Sequence, residues 1–207
     1  MTDRPTSPAP DRTGLRHLDE LPKGRFRFLA LDVETAGRGI GSICQIGLAF
    51  VGFDGDIATW SSLVDPRAPI TRWTTRVHGL TDADVAGAPV FGALFPALRP
   101  VMEAYPVVQH SRYDERAFDA ACRAIGAQPL RCPWINSVTL ARRAFPELRG
   151  NGGHGLANLK GVLGLDFRHH DAGEDARAAA QVALAAEARL GHQRSLGPRH
   201  DQLRFDF

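Results

Sequence analysis

FRFLALDVETAGRGIGSICQIGLAFVGFDGDIATWSSLVDP, residues 26–66, holds three strand-like segments in a row. FRFLALDV is a short apolar run with the composition of a buried strand. SICQIGLAFVGF, then the turn pair Asp54-Gly55, then DIATWSSLVDP, reads as a hairpin of two more strands. Downstream of the loop at Pro66–Pro69 the apolar spacing turns helical. Pro89, Val90, Phe91, Leu94, Phe95 and Leu98 predict a helix that opens on a proline and stops at Pro100. YPVVQHS then reads as a compact strand, and Asp114–Ile125 as a helix with Phe118, Ala121, Cys122 and Ile125 on one face. PWINSVTLARRAF reads as a short strand running into a helix, GLANLKGVLGL as a short helix, and EDARAAAQVALAAEARL as a long alanine-rich one. The order βββαβαβαα predicts an α/β fold: a mixed sheet, three antiparallel strands then parallel ones, with helices on both faces. The expected organisation is a disordered leader over residues 1–24, a catalytic-sized domain over 25–190 and a tail over 191–207.

The chain has 207 residues, 43% of them hydrophobic and 23% charged, which suits one globular domain and excludes collagen-like and coiled-coil classes. No apolar run reaches the roughly 18 residues that span a bilayer, and the N-terminus lacks the apolar core of a secretory signal. The expectation is a cytoplasmic protein without a membrane partner. Cys44, Cys122 and Cys132 form no CxxC pair, so neither a disulfide framework nor a zinc ribbon is expected. The formal charge is only +2, yet of 25 basic residues only Lys23 and Lys160 are lysines. Arginine pairs bidentately with phosphate, although a compositional bias of the genome yields the same excess; nucleic acid is permitted rather than indicated.

The carboxylates are more specific. Asp32 and Glu34 in LDVET are two residues apart on one strand, so their side chains share a face of the sheet. Two acids there require a cation, protons or an exposed strand end. Asp114 opens a helix just after the YPVVQHS strand; alone it reads first as a helix cap. Asp175 opens the last long helix, with His170 on the preceding loop. Four acids converging with one histidine fit hard divalent cations, which prefer oxygen ligands. Two such ions, Mg²⁺ or Mn²⁺, can activate a water and stabilise the leaving oxygen of a phosphodiester. His170 is suited to take the proton from that water, while His169 or His170 also reads as a solvated loop residue.

These residues resemble the DEDD superfamily of 3′–5′ exonucleases, in its histidine-bearing branch, which includes the proofreading epsilon subunits of bacterial DNA polymerase III. Asp32-Val33-Glu34-Thr35 is similar to the first motif. His110 and Asp114 in QHSRYD are similar to the second, and His170-Asp171-Ala172-Gly173-Glu174-Asp175 to the third, H-x-A-x-x-D. SICQIG and VHGLTDADV are also similar to family segments. The resemblance spans about residues 26–188. It implies a ribonuclease H-like fold, two metal ions on Asp32, Glu34, Asp114 and Asp175, His170 as general base, and release of nucleoside 5′-monophosphates from a 3′ end. Ser111, Arg112 and Tyr113 depart from the common pattern, which puts an Asn after the second-motif His and a Phe before the Asp.

The substrate expected from this resemblance is a single-stranded nucleic-acid 3′ end, DNA more than RNA, in proofreading or repair. Backbone amides at Thr35 and Ala36 are candidates to hold the terminal nucleotide, and Ile40 or Ile43 to pack on its base. His78 is a candidate either to line the groove or to serve structure, and Arg38, Arg72 and Arg112 are candidate phosphate contacts. The C-terminal Gln202–Phe207 resembles the short peptide by which replication proteins dock on a sliding clamp. Two other readings stand beside the DNA exonuclease: an RNA exonuclease of the same fold, and a non-catalytic module that recruits a polymerase or clamp.

Overall fold

The computed structural model describes residues 18–150, 152–166 and 170–191. Strands β1 (Phe28–Thr35), β2 (Ile43–Val51) and β3 (Ile57–Leu63) open the chain as expected, and β4 (Val107–Gln109) and β5 (Trp134–Asn136) follow. They form one sheet in the order β3-β2-β1-β4-β5. β1 pairs antiparallel with β2 and parallel with β4, so the two halves of the mixed sheet meet at β1. Helices α1 (Arg72–His78), α2 (Phe91–Glu103), α3 (Tyr113–Ala124), α4 (Ser137–Ala144), α5 (Leu156–Leu163) and α6 (Ala172–Leu190) complete the fold.

Strand alternation explains how β1 comes to carry acids. Leu29, Leu31 and Val33 face one way, into a core with Phe91, Leu94, Phe95 and Phe118 of α2 and α3. Phe28 and Ala30 face the other way, against Ala176, Ala179, Ala180 and Ala183 of α6. Asp32 and Glu34 continue that second face beyond the apolar part, where α6 begins. The alanine stripe at i, i+3, i+4 and i+7 lets α6 lie close over β1 and β2. Arg27 pairs with the buried Glu187 near the far end of α6, which fastens the helix along the sheet.

Two local readings are corrected. Pro100 does not stop α2, which runs through Pro96 and Pro100 to Glu103. A proline inside a helix costs about 3 kcal/mol, because it loses one hydrogen bond and crowds the preceding turn. Both prolines lie on the exposed side, where water can serve the freed carbonyls, while Leu98 and Met102 are fully buried on the other. Helix α1 was not anticipated: it is capped by the Thr71 hydroxyl, which accepts from Thr74 N, and ends at Gly79 in the left-handed conformation. Within the stretch read as a leader, Leu18–Glu20 makes a 3-10 turn, and Leu18 and Leu21 pack on the core. The clamp-like Gln202–Phe207 lies outside the described residues.

Candidate active site

Three elements, β1, α3 and α6, deliver the four acids to one end of the sheet. Asp32 and Glu34 sit on β1 opposite Gly47 and Gln45 of β2, and the register shifts by a bulge between Glu34 and Thr35. Strand β4 pairs with β1 only at Leu29 and Ala30, so the β1 edge beyond them is open. Asp114 fills that opening: its Oδ1 accepts from Val33 N at 3.3 Å, between the two β1 acids. The helix-cap alternative for Asp114 therefore falls away, since Arg112 holds the cap position and Asp114 reaches to β1. Gln109, at the end of β4, steadies α3 by accepting from Glu115 N at 2.9 Å and donating to the Glu115 carboxylate at 3.1 Å.

Asp175 comes from the first turn of α6. The Asp171 carboxylate caps this helix, accepting from Gly173 N and Glu174 N. His170 precedes it with φ +67°, a left-handed conformation uncommon outside glycine. In that conformation its N–H donates to Asp175 Oδ2 at 2.7 Å. Glu34, His170 and Asp175 each offer a ligand atom, all within 4.8 Å of one another. Asp114 and Asp175 are 4% and 3% exposed.

The electrostatics are those of buried carboxylates that repel one another. Burial first, and then Asp114, Glu34 and Asp175, hold the Asp32 carboxyl well above the ordinary range. Glu34 is pushed up to about 8 by burial and by Asp175 and Asp114. Burial raises Asp114 to about 7, against the lowering effect of the Val33 N–H. Oxygen donors that repel one another in a shielded place suit a divalent cation, so the donor set fits the metal expected from sequence.

The β2 residues Gln45 and Gly47 complete the site and were not singled out individually from sequence. Gln45 Oε1 accepts from Ala172 N at 3.3 Å, satisfying one of the unpaired amides at the start of α6. At Gly47 a side-chain carbon would stand 1.9 Å from the Ala172 carbonyl oxygen, so only glycine lets α6 descend there. Their signal was the QIG of SICQIG, one polar and one absent side chain within an otherwise apolar strand.

The expected substrate contacts fare differently. Ile43 is 1% exposed and belongs to the core, so it presents no face to a base. The Ala36 amide donates to Ser42 O at 2.7 Å and is not free to hold a nucleotide. The Thr35 hydroxyl lies 2.8 Å from the Tyr113 hydroxyl. His78 uses both ring nitrogens internally: Nδ1 accepts from Leu80 N at 3.1 Å, and Nε2 is 3.2 Å from Thr35 O. That pattern calls for a neutral ring with its proton on Nε2, and burial lowers the His78 pKa accordingly. His110 is likewise held, Nε2 against His154 O at 3.0 Å and Nδ1 beside Ser137 Oγ at 2.8 Å.

A model of an exonuclease family, RNase T, matches residues 29–183, three quarters of the chain and the whole span of the acids. The chain belongs to this exonuclease family. Its curated relatives include a PolC-type DNA polymerase III of Thermotoga maritima, 26% identical over 170 residues. Those residues are 80% of this chain and 12% of the polymerase. A DNA polymerase III subunit epsilon-like protein of Rhodobacter capsulatus is 26% identical over 178 residues, 84% of this chain and 25% of that protein. The exonuclease-family chain thus spans a quarter or less of these relatives. Among solved structures, exonuclease X in complex with 5′ overhanging duplex DNA superposes with a TM-score of 0.64 at 24% identity, covering 79% of this chain and 93% of that one. The nuclease domain of 3′hExo, a DEDDh family member bound to rAMP, gives a TM-score of 0.69 at 16% identity, covering 83% and 96%. At these identities the superpositions establish the shared fold, a five-stranded mixed sheet with helices on both faces. Among the described residues no helix is long and apolar enough to cross a membrane.

Proposed function

We propose that the chain is a metal-dependent 3′–5′ exonuclease acting on DNA 3′ ends and releasing nucleoside 5′-monophosphates, in proofreading or repair. The observation that carries this is the gathering of Asp32, Glu34, Asp114 and Asp175 at one sheet end beside His170. The DNA polymerase names of its relatives support DNA as the substrate. Two divalent cations, Mg²⁺ or Mn²⁺, held by the four acids supply water activation and stabilisation of the leaving oxygen when bound. The remaining work belongs to this chain's side chains. His170 accepts the proton of the attacking water, and its backbone bond to Asp175 holds the loop that carries the imidazole at the rim. Tyr113 and His78 hold the Thr35 end of β1, and so the bearing of Glu34, in place.

The test is degradation of matched single-stranded DNA and RNA oligonucleotides, each labelled at its 5′ end, with Mg²⁺ or Mn²⁺. A ladder shortening from the 3′ end, faster on DNA, is the expected result. The rAMP-bound nuclease of like fold gives RNA a specific claim, and a faster RNA ladder would transfer the substrate to RNA turnover. No ladder on either sugar, with binding retained, would leave a recruiting module. His170→Ala is expected to slow the ladder about 10²- to 10⁴-fold while preserving the rise in melting temperature on adding Mn²⁺. A full-rate His170→Ala protein would refute the general-base role.

A further inference from the structure

Helix α1 turns two unlike faces to its surroundings. Its inner residues are polar and bond to the end of β1: Thr71 N and the Thr74 hydroxyl both donate to Ala36 O, at 3.0 and 3.2 Å, and His78 Nε2 meets Thr35 O. The helix is therefore one hydrogen bond away from the strand segment that carries Glu34. Its outer face is Arg72, Trp73, Arg76 and Val77, all exposed. Trp73 is 72% exposed, whereas Trp60 is 1% exposed and Trp134 is partly buried against the core. The helix carries no acid, and neither Arg72 nor Arg76 has an ion pair among the described residues. Arg38, on the exposed turn between β1 and β2, adds a third cation next to the same strand end.

An indole left in water between Arg72 and Arg76, which have no ion pair among the described residues, on a helix bonded to the end of the acid-bearing strand, calls for a flat, apolar, anion-bearing occupant. We infer that Trp73 is a stacking platform for a base of the nucleic-acid strand whose 3′ end enters the site, with Arg72 and Arg76 facing its phosphates. The inference rests on the exonuclease reading and adds to it a grip that lies outside the acid cluster. Stacking on an aromatic ring accepts any base, because every base has a π-face, and so the grip is indifferent to sequence. Rigid seating of α1 by Thr71, Thr74 and His78 makes the platform a fixed one. A protein partner is the competing occupant of this face.

Trp73→Ala removes an exposed ring and leaves the core intact, so the variant folds. On a single-stranded DNA 12-mer it is expected to raise KM about tenfold while kcat stays within about twofold. On a 12-mer with abasic sites at every position except the 3′ nucleotide, the intact protein and Trp73→Ala are expected to show the same KM. Equal KM on the ordinary 12-mer would overturn the platform and leave the face to a protein partner. A second readout does not need turnover. In the Asp32→Asn protein with Mn²⁺, the ordinary 12-mer is expected to quench tryptophan fluorescence, and the additional change Trp73→Phe to abolish that quench. Quenching without any cleavage by the intact protein would sink the exonuclease reading while the platform stands. Cleavage with no Trp73-dependent quench would sink the platform alone.

Discussion

Asp32→Asn is expected to abolish turnover, by about 10³-fold or more, and at the same time to make the metal-free protein more stable. The two effects share one cause. Asp32 stands where burial and four other acids hold its carboxyl well above the ordinary range, with Glu34 near 8 and Asp114 near 7 in the same cluster. A folded-state pKa above the unfolded one means that the folded protein binds more protons between the two values. The stability these groups contribute is present below about pH 4 and is lost as pH rises through about 7 to 8. Metal-free protein is thus expected to melt lower at pH 8 than at pH 6, and Asp32→Asn to melt higher than the native protein at pH 8 with little change at pH 5. Adding Mn²⁺ at pH 8 offsets the repulsion among these acids, so it is expected to raise the melting temperature of the native protein and hardly that of Asp32→Asn. Melting curves by calorimetry at the three pH values, with and without Mn²⁺, check the chain of reasoning. A lower melting temperature for Asp32→Asn at pH 8 would mean that the acids are compensated by something other than a cation.

Gly47→Ala is expected to do comparable damage from a position that touches no substrate. The new methyl would stand 1.9 Å from the Ala172 carbonyl oxygen and 2.4 Å from Gly173 N. Both are backbone atoms at the start of α6, with no flexible side chain to yield. The helix cannot slide away freely, because Gln45 holds its first amide and Arg27 holds Glu187 near its other end. Overpacking of this kind costs about 1–3 kcal/mol, or roughly 2–12 °C in a chain of this size. What relaxation there is lifts the first turn of α6, and with it Asp175 and His170, away from Asp32 and Glu34. A displacement of about 1 Å in a catalytic group costs on the order of 10²-fold in rate. Activity assays and melting curves on Gly47→Ala, beside Gly161→Ala on α5, where an added carbon meets nothing within 4 Å, test this. Near-native activity in Gly47→Ala would show that α6 is free to move without disturbing the acids.

Much of the site could be read before any fold was drawn. Asp32 and Glu34 announce themselves because two charges on one face of an apolar strand have no cheap explanation. His170 and Asp175 do so because they flank the start of a long helix. Asp114 was ambiguous, and only the early end of β4, which leaves Val33 N–H open, turns a helix-opening acid into a neighbour of Asp32. Helix α1 escaped the periodicity because its inner face is made of threonines and a histidine that bond to backbone; there is no apolar stripe to see. Pro100 misled because the local rule for prolines is blind to which side of a helix meets water.

By itself the sequence determined the mixed α/β architecture, the opening run of three strands with its hairpin, and the candidacy of Asp32, Glu34, His170 and Asp175, while Asp114 stayed open between cap and ligand. These follow from local causes: strand alternation, turn chemistry, and the cost of charge on an apolar face. The tertiary structure alone decided which supporting groups surround them. It spent the Ala36 amide on Ser42, buried Ile43 in the core, and gave both nitrogens of His78 protein partners. It also gave Gly47 its meaning and left Trp73 in solvent on a helix bonded to the end of β1. Those outcomes depend on which segments, far apart in the chain, come within a few ångströms. Such contacts are set by the closeness of α6 to β2 and of α1 to β1, which no spacing along the chain encodes.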